Sequence, residues 1–260
     1  IKTLALEWGQ YNINANLATV QNRVERLHPN LPSLIGQVTR TEAGHPLNAY
    51  YGYVFEGIYQ NTQEISSQLF ATTNPTVVPG DIRFKDLNND GRIDDNDRDF
   101  IGDPNPGLLY GLNLSGSYRA FDLSVMFQGV GKVERYNDSK KIVDYDTRPF
   151  NYTTRVLGAW DGEGSTNTIP RVSFTDNGSS RTSSIFVEDA SYFRLKNVEL
   201  GYTINRFKSA GISNLRLYVS AQNLFTLTNY TGLDAESTDL MDMGTYPQSR
   251  MFVCGVNLSF

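Results

Sequence analysis

The sequence has little of what soluble enzymes and helical membrane proteins usually rely on. One cysteine, Cys254, among 260 residues excludes a disulfide within the chain. The two histidines, His28 and His45, each precede a proline and read as surface-turn residues, with no pair at metal-ligand spacing. No Gly-x-Ser-x-Gly elbow and no phosphate loop is present. No run approaches the roughly 20 apolar residues of a membrane helix. Basic residues are outnumbered, 23 Lys+Arg against 28 Asp+Glu, and the net charge of −5 argues against nucleic acid as a partner. Only 39% of residues are hydrophobic, and mean hydropathy is −0.39. Those values suit a soluble protein. They suit a membrane β-barrel equally well, because its strands alternate apolar and polar residues and average out as hydrophilic.

What the chain does have is tyrosine (15), phenylalanine (14) and glycine (22), arranged with a period of two. Phe252, Cys254, Val256, Leu258 and Phe260 alternate with Val253, Gly255, Asn257 and Ser259. Leu215, Leu217, Val219 and Ala221 oppose Arg216, Tyr218, Ser220 and Gln222. The same pattern runs through 191–204, through Phe121–Phe127 and through Leu108–Leu114. A first stretch, 3–18, shifts phase near Gly9, from Leu4/Leu6/Trp8 to Tyr11/Ile13/Leu17, which predicts one strand with a bulge. The polar face carries Gly, Ser, Asn and Gln in place of the Lys, Glu and Thr of a solvated sandwich, as the lumen of a wet barrel would.

The connections alternate in length. Arg119-Ala120 is a tight turn and Asn205–Ser213 a short link, whereas 20–106, 132–190 and 227–247 are long. Short turns at one end and long loops at the other is the arrangement of outer-membrane barrels, and strand parity puts Phe260 on the short-turn side. The expected fold is therefore all-β: a transmembrane antiparallel barrel, of which residues 1–260 supply the C-terminal portion, about six strands with long extracellular loops. Six strands close no membrane barrel, since the known range begins at about eight. Two open edges in lipid would cost several kcal/mol for every unpaired backbone group. The chain is thus expected to be a fragment, opening as it does with Ile-Lys-Thr-Leu-Ala-Leu inside a strand pattern.

One chemical motif is sharp. Residues 86–97, within the long 20–106 loop region, follow the spacing of a calcium loop. Asp86, Asn88 and Asp90 occupy positions one, three and five, Gly91 the sharp turn at six, Arg92 the carbonyl at seven, Asp94 nine and Asp97 twelve. Hard oxygens so spaced let one turn of chain wrap a cation, here a structural Ca²⁺. Asp97 departs from the usual bidentate Glu, and no helix pattern flanks the loop, so a conformational sensor is not expected. An Asx-rich surface turn is the bland reading.

Several segments resemble the C-terminal barrel of the SusC/RagA family of TonB-dependent transporters of Bacteroidetes. They are Tyr51–Tyr59, Pro79–Asp94, Ile101–Gly107, Ser191–Tyr202, Ala221–Phe225 and Tyr246–Arg250 with the last strand. The resemblance implies a barrel of about 22 strands around a plug that this chain lacks. It also implies an outer-membrane location, a SusD-like surface lipoprotein as lid, and energy from TonB. The implied activity is import of an oligosaccharide or a peptide, without bond chemistry. The partners would be the remainder of the same transporter, outer-membrane lipid, the lid, TonB and the nutrient. Lumen candidates for substrate contact are Asn113, Ser115, Gln128, Arg216, Tyr218 and Gln222, with Trp160 in an outer loop as a sugar-stacking or packing residue. Two rivals stand beside this reading. One is a soluble extracellular calcium-stabilised β-sandwich that binds glycan. The other is a secreted glycosidase using carboxylates at 94–99 or Glu188-Asp189.

Overall fold

Alternating β-branched, aromatic and small polar residues favour a pleated strand with two different faces, and the computed structural model places strands on each of those stretches. It describes residues 2–6, 9–66, 77–145, 147, 151–204 and 213–260. In chain order the strands are β1 (Lys2–Leu6), β2 (Gly9–Thr19), β3 (Ser33–Ile35), β4 (Thr39–Glu42), β5 (Ala49–Tyr53), β6 (Phe55–Ile58), β7 (Ile82–Phe84) and β8 (Arg98–Gly102). They continue with β9 (Leu108–Tyr118), β10 (Phe121–Gly131), β11 (Glu134–Asn137), β12 (Val187–Asp189), β13 (Tyr192–Ile204), β14 (Asn214–Thr228), β15 (Met241–Asp242) and β16 (Met251–Ser259).

Seven strands form one antiparallel sheet in the order β1-β2-β9-β10-β13-β14-β16, an up-and-down meander of a barrel wall. The single bulged strand expected over 3–18 is two strands. Lys2 pairs with Ile13 and Leu6 with Gly9, so the chain reverses between Leu6 and Gly9. A two-residue reversal and a one-residue bulge both move the apolar positions from even to odd numbers, and alternation alone does not separate them. Trp8, and the Asn205–Ser213 link apart from Ser213, lie outside the described residues. Arg119 turns the chain with a left-handed φ of 56°, and Tyr118 pairs with Phe121 across that turn. The β1–β2 reversal, the Arg119 turn and the end of β16 opposite Asn214 all fall at the same end of the sheet.

The register gathers the apolar positions on one face. One cross-strand row reads Tyr11, Gly116, Leu123, Leu200, Val219, Cys254, and the next Ile13, Leu114, Val125, Val198, Ala221, Phe252. In β13 the apolar residues change from odd (Phe193, Leu195) to even (Val198, Leu200). A bulge at Lys196, where Phe127 faces Leu195 and Met126 faces Asn197, absorbs the change and keeps all four on one side. Large side chains of this face stand open, among them Leu17 (71% exposed), Leu227 (62%) and Phe252 (73%). Among the described residues no second sheet packs on the face. The β-sandwich alternative requires one, and it is not favoured.

The three long connections, expected as loops, fold together into a cap at the opposite end. Three small sheets build it: β3-β4-β5-β8, β6-β7 and β12-β11-β15. One core joins Tyr50, Tyr53, Ile58, Phe84 and Ile93 of the first connection to Tyr136, Tyr145 and Phe186 of the second, with Met241 of the third against it. Arg135, itself buried, ties all three together: its Nε donates to the Ser237 carbonyl at 2.7 Å and a terminal nitrogen to the Pro104 carbonyl at 3.0 Å. The Tyr50 hydroxyl donates to the Leu240 carbonyl at 2.7 Å. A fully buried aromatic ring carries the cap's stability more than any surface pair does. Phe186→Ala is expected to destabilise the cap by about 3–5 kcal/mol, read in the full-length protein as protease sensitivity and fast hydrogen exchange in 132–190. Strands β9, β10, β13 and β14 should stay protected. Equal loss of protection in those strands would show that cap and wall are one cooperative unit.

Candidate functional site: the polar wall and its cap

The other face of the sheet is hydrophilic over most of its width, with Met126 in the middle and Val253 and Met251 on β16 as its apolar members. Its rows read Gln10, Ser117, Asp122, Gly201, Tyr218, Gly255, then Asn12, Ser115, Ser124, Glu199, Ser220, Val253, then Asn14, Asn113, Met126, Asn197, Gln222, Met251. Asn113, Ser115, Gln128, Arg216, Tyr218 and Gln222 all fall on it, so the structure brings together the lumen candidates other than Trp160. Asn12, Asn14 and Asn16, three alternate amides on β2, face the same way, as the apolar phase Tyr11/Ile13/Leu17 requires. Asn12, Asn14, Asn113 and Gln222 are exposed, and the first three form a neutral hydrogen-bonding patch across β2 and β9.

Arg216 and Tyr218 are held differently. The Arg216 guanidinium reaches from β14 across β13 to Asp122 on β10, with Nε donating to the Asp122 carboxylate at 3.0 Å and a terminal nitrogen bonded to its other oxygen. It also meets Glu199 at 2.7 Å. The crossing passes over Gly201, where an added Cβ would fall 2.5 Å from both the guanidinium and the Asp122 carboxylate. Tyr218 lies over Gly255 on β16, its ring in the space a Cβ would occupy. Two glycines therefore let the two longest side chains of this stretch lie along the wall and not project from it. Arg216 is a strut between strands before it is a substrate contact.

At the mouth, Arg194 is buried on the polar face. It pairs with Asp234 at 2.9 Å and with Glu236, and donates to the Thr226 hydroxyl at 2.8 Å. Lys196, in the bulge, meets Glu236 at 3.3 Å. These contacts anchor the third connection to the wall.

Trp160 sits in the cap. Its ring covers Gly80, its indole N–H donates to Gln60 at 3.2 Å, and it packs on the cap core. That is the packing role, and it places Trp160 off the polar wall. Glu188, half of a candidate carboxylate pair, meets the Lys140 ammonium at 2.8 Å and accepts from Thr231. Burial pushes its pKa up, but Lys140 and the Thr231 donors outweigh that and hold it below the ordinary carboxylate value. A carboxylate so bound is a tie between connections, not a proton donor.

The 86–97 loop is shaped by its own acids. Asp86 accepts from Gly91 N–H at 2.8 Å, Asn88 from Asp90 at 3.0 Å, Asp90 from Arg92 at 2.8 Å and Asp94 from Asn96 at 2.8 Å. Gly91 has φ +80°, the left-handed turn the motif demands. Ile93 is buried in the cap core. Asp97, wholly buried, closes the loop: its two oxygens accept from Leu87 and Asp94 N–H, each at 2.8 Å. The short side chain at position twelve thus bonds back to backbone. The second Asp86 oxygen is buried without a hydrogen-bond partner, which is the group a hard cation would satisfy. Among the described residues no three acidic or histidine side chains are drawn into a metal cluster. Asp86 fits the expected cation, while Asp97 serves the fold of the loop.

A sheet with an apolar open face, a polar face and all short reversals at one end is a segment of a transmembrane β-barrel wall. No family profile matches the chain. Among curated relatives it is 32% identical over 233 residues to the TonB-dependent receptor P3 of Formosa agariphila, a match covering 84% of this chain and 22% of that protein. It is 25% identical over 231 residues to the TonB-dependent receptor SusC of Bacteroides thetaiotaomicron, covering 86% of this chain and 21% of SusC. The RagAB peptide transporter superposes on 99% of the chain with a TM-score of 0.80 at 22% identity, over 28% of its own chain. In sequence and fold alike, the chain belongs with the TonB-dependent receptors of the SusC/RagA type. It spans about a fifth of the length of the curated relatives it matches.

Because the strut needs Gly201, Gly201→Val should part Arg216 from Asp122 and loosen the β10–β13–β14 stretch. The full-length barrel is then expected to lose its resistance to unfolding in detergent at a lower temperature on a heat-modifiability gel, whereas Ser220→Val, on the same face without a strut above it, should not. Equal behaviour of the two variants would refute the strut.

Proposed function

We propose that this chain is part of an outer-membrane importer for a large nutrient, an oligosaccharide or a peptide, energised by TonB and lidded by a SusD-like lipoprotein. The observation that carries the proposal is the register, which gives lipid an apolar face and the interior a mainly hydrophilic one. The relatives support it, being TonB-dependent receptors, as does the likeness of fold to the RagAB peptide transporter. The remaining strands and a plug would come from the rest of the transporter. Substrate would meet the cap first and then the amide-rich wall around Asn14 and Asn113, with passage gated by movement and no bond made or broken. The full-length protein should fractionate with the outer membrane and co-purify with a lipoprotein partner. Its nutrient uptake should cease when TonB is removed. Uptake unchanged without TonB, or a protein stable in buffer without detergent, would overturn the proposal.

The 86–97 loop is proposed to hold a structural Ca²⁺ through Asp86, Asn88, Asp90, the Arg92 carbonyl and Asp94. Such a site links ion binding to the stability of the cap. Calcium is expected to raise the temperature at which the cap unfolds and EDTA to lower it. Asp86→Asn should erase that difference, and Asp97→Asn should weaken the cap with or without calcium. A wild-type cap indifferent to both additives would exclude the ion.

A further inference from the structure

A second place in the cap has the makings of a ligand site. A cavity of about 410 Å³, within the size range of small-molecule pockets, opens between the 35–39 turn, β5, β8 and the 180–182 segment. Its floor is the buried ring of Tyr53. Two guanidinium groups flank that ring: Arg98 lies 5.1 Å and Arg181 5.3 Å from its centroid. Around them stand Gln37, Thr39, Tyr51, Ser180 and Thr182.

The arrangement is built into the backbone. Tyr53 pairs directly with Arg98 on β8, and its N–H donates to the Thr182 carbonyl at 2.9 Å. Gly52 lets the segment carrying Arg181 approach this closely, since a Cβ there would collide with the Thr182 carbonyl. Bringing two like charges to one ring costs electrostatic energy unless something opposes them. Only Arg98 has an acid, Asp95 at 2.7 Å, and that carboxylate is 83% exposed and screened by solvent. Among the described residues Arg181 has no ion pair, and its guanidinium lies against the Tyr53 and Phe84 rings. The pocket therefore holds an excess of positive charge in a chain whose net charge is −5.

We infer that this pocket binds the anionic group, a carboxylate or sulfate, of an acidic oligosaccharide, with Arg181 and Arg98 on the charge and the hydroxyl and amide side chains on neighbouring sugar hydroxyls. Guanidinium groups match carboxylate and sulfate oxygens two at a time. The surrounding groups are neutral donor–acceptors, which suit polyhydroxylated rings better than apolar peptide side chains. The inference rests on the importer reading and names the substrate class that the cap would admit.

The test is calorimetric titration of the purified full-length transporter, which needs no transport and so stands apart from the TonB experiment. The probes are tetragalacturonate, a chondroitin sulfate tetrasaccharide, maltotetraose and tetraglutamate. At least one of the two acidic saccharides should bind, more weakly as salt rises, and maltotetraose and tetraglutamate should not. Arg181→Gln should lower that affinity about tenfold, the loss expected for one charge-assisted contact. Arg181→Lys should recover part of it, and Arg26→Gln, an exposed cation elsewhere on the cap, should have no effect. Binding of neither acidic saccharide, equal affinity in wild type and Arg181→Gln, or equally tight binding of tetraglutamate would each overturn the inference. TonB-dependent uptake that persists in any of those cases would leave the importer reading standing.

Discussion

Everything in this protein hangs on inter-strand backbone pairing in a medium that offers no other partner. In hydrocarbon an unpaired N–H or C=O costs several kcal/mol, so the wall is obliged to be a continuous hydrogen-bonded sheet. Once pairing is obligatory, register decides chemistry, because a slip of one residue would turn every apolar side chain inward. The Lys196 bulge shows the constraint at work. The apolar phase of β13 changes at that point, and the backbone inserts a residue there so that both halves keep the same face outward.

The two ends of the wall solve different problems. At the short-turn end the chain only has to reverse, and a left-handed Arg119 suffices. At the other end three connections total well over half the sequence, and the aromatic residues there pack as in a soluble domain. Four of the 15 tyrosines belong to this core: Tyr50, Tyr53, Tyr136 and Tyr145 are buried in the cap, away from the apolar face of the sheet. Between the two ends, Gly201 and Gly255 let Arg216 and Tyr218 lie along the sheet, so the polar face is lined mainly by short amides and hydroxyls.

The wall was legible in the sequence because a membrane strand writes its environment with a period of two. Five of six expected strands appear within a few residues of their anticipated limits, and the tight turn at Arg119-Ala120 is where alternation places it. Alternation reads the β1–β2 reversal as a bulge because the two leave the same parity change at Gly9. The cap was not legible as a folded unit. Its strands are two to five residues long and its core is assembled from partners more than 80 positions apart, such as Tyr50 and Tyr136, a separation that local patterning does not encode. The 86–97 motif asks for a sharp turn at Gly91, and the loop makes it, yet spacing alone does not reveal that both Asp97 oxygens bond to backbone. Arg181 carries no motif at all; only the fold brings it to Arg98.

Arg135 has one further consequence. A single guanidinium holds carbonyls from the first and third connections while standing in the second, and the aromatic core beneath it is shared among them. Three independent loops would open like fingers, each on its own hinge and timescale. Three segments fastened at one hub behave as a lever: pull on any one of them, and the other two must travel with it.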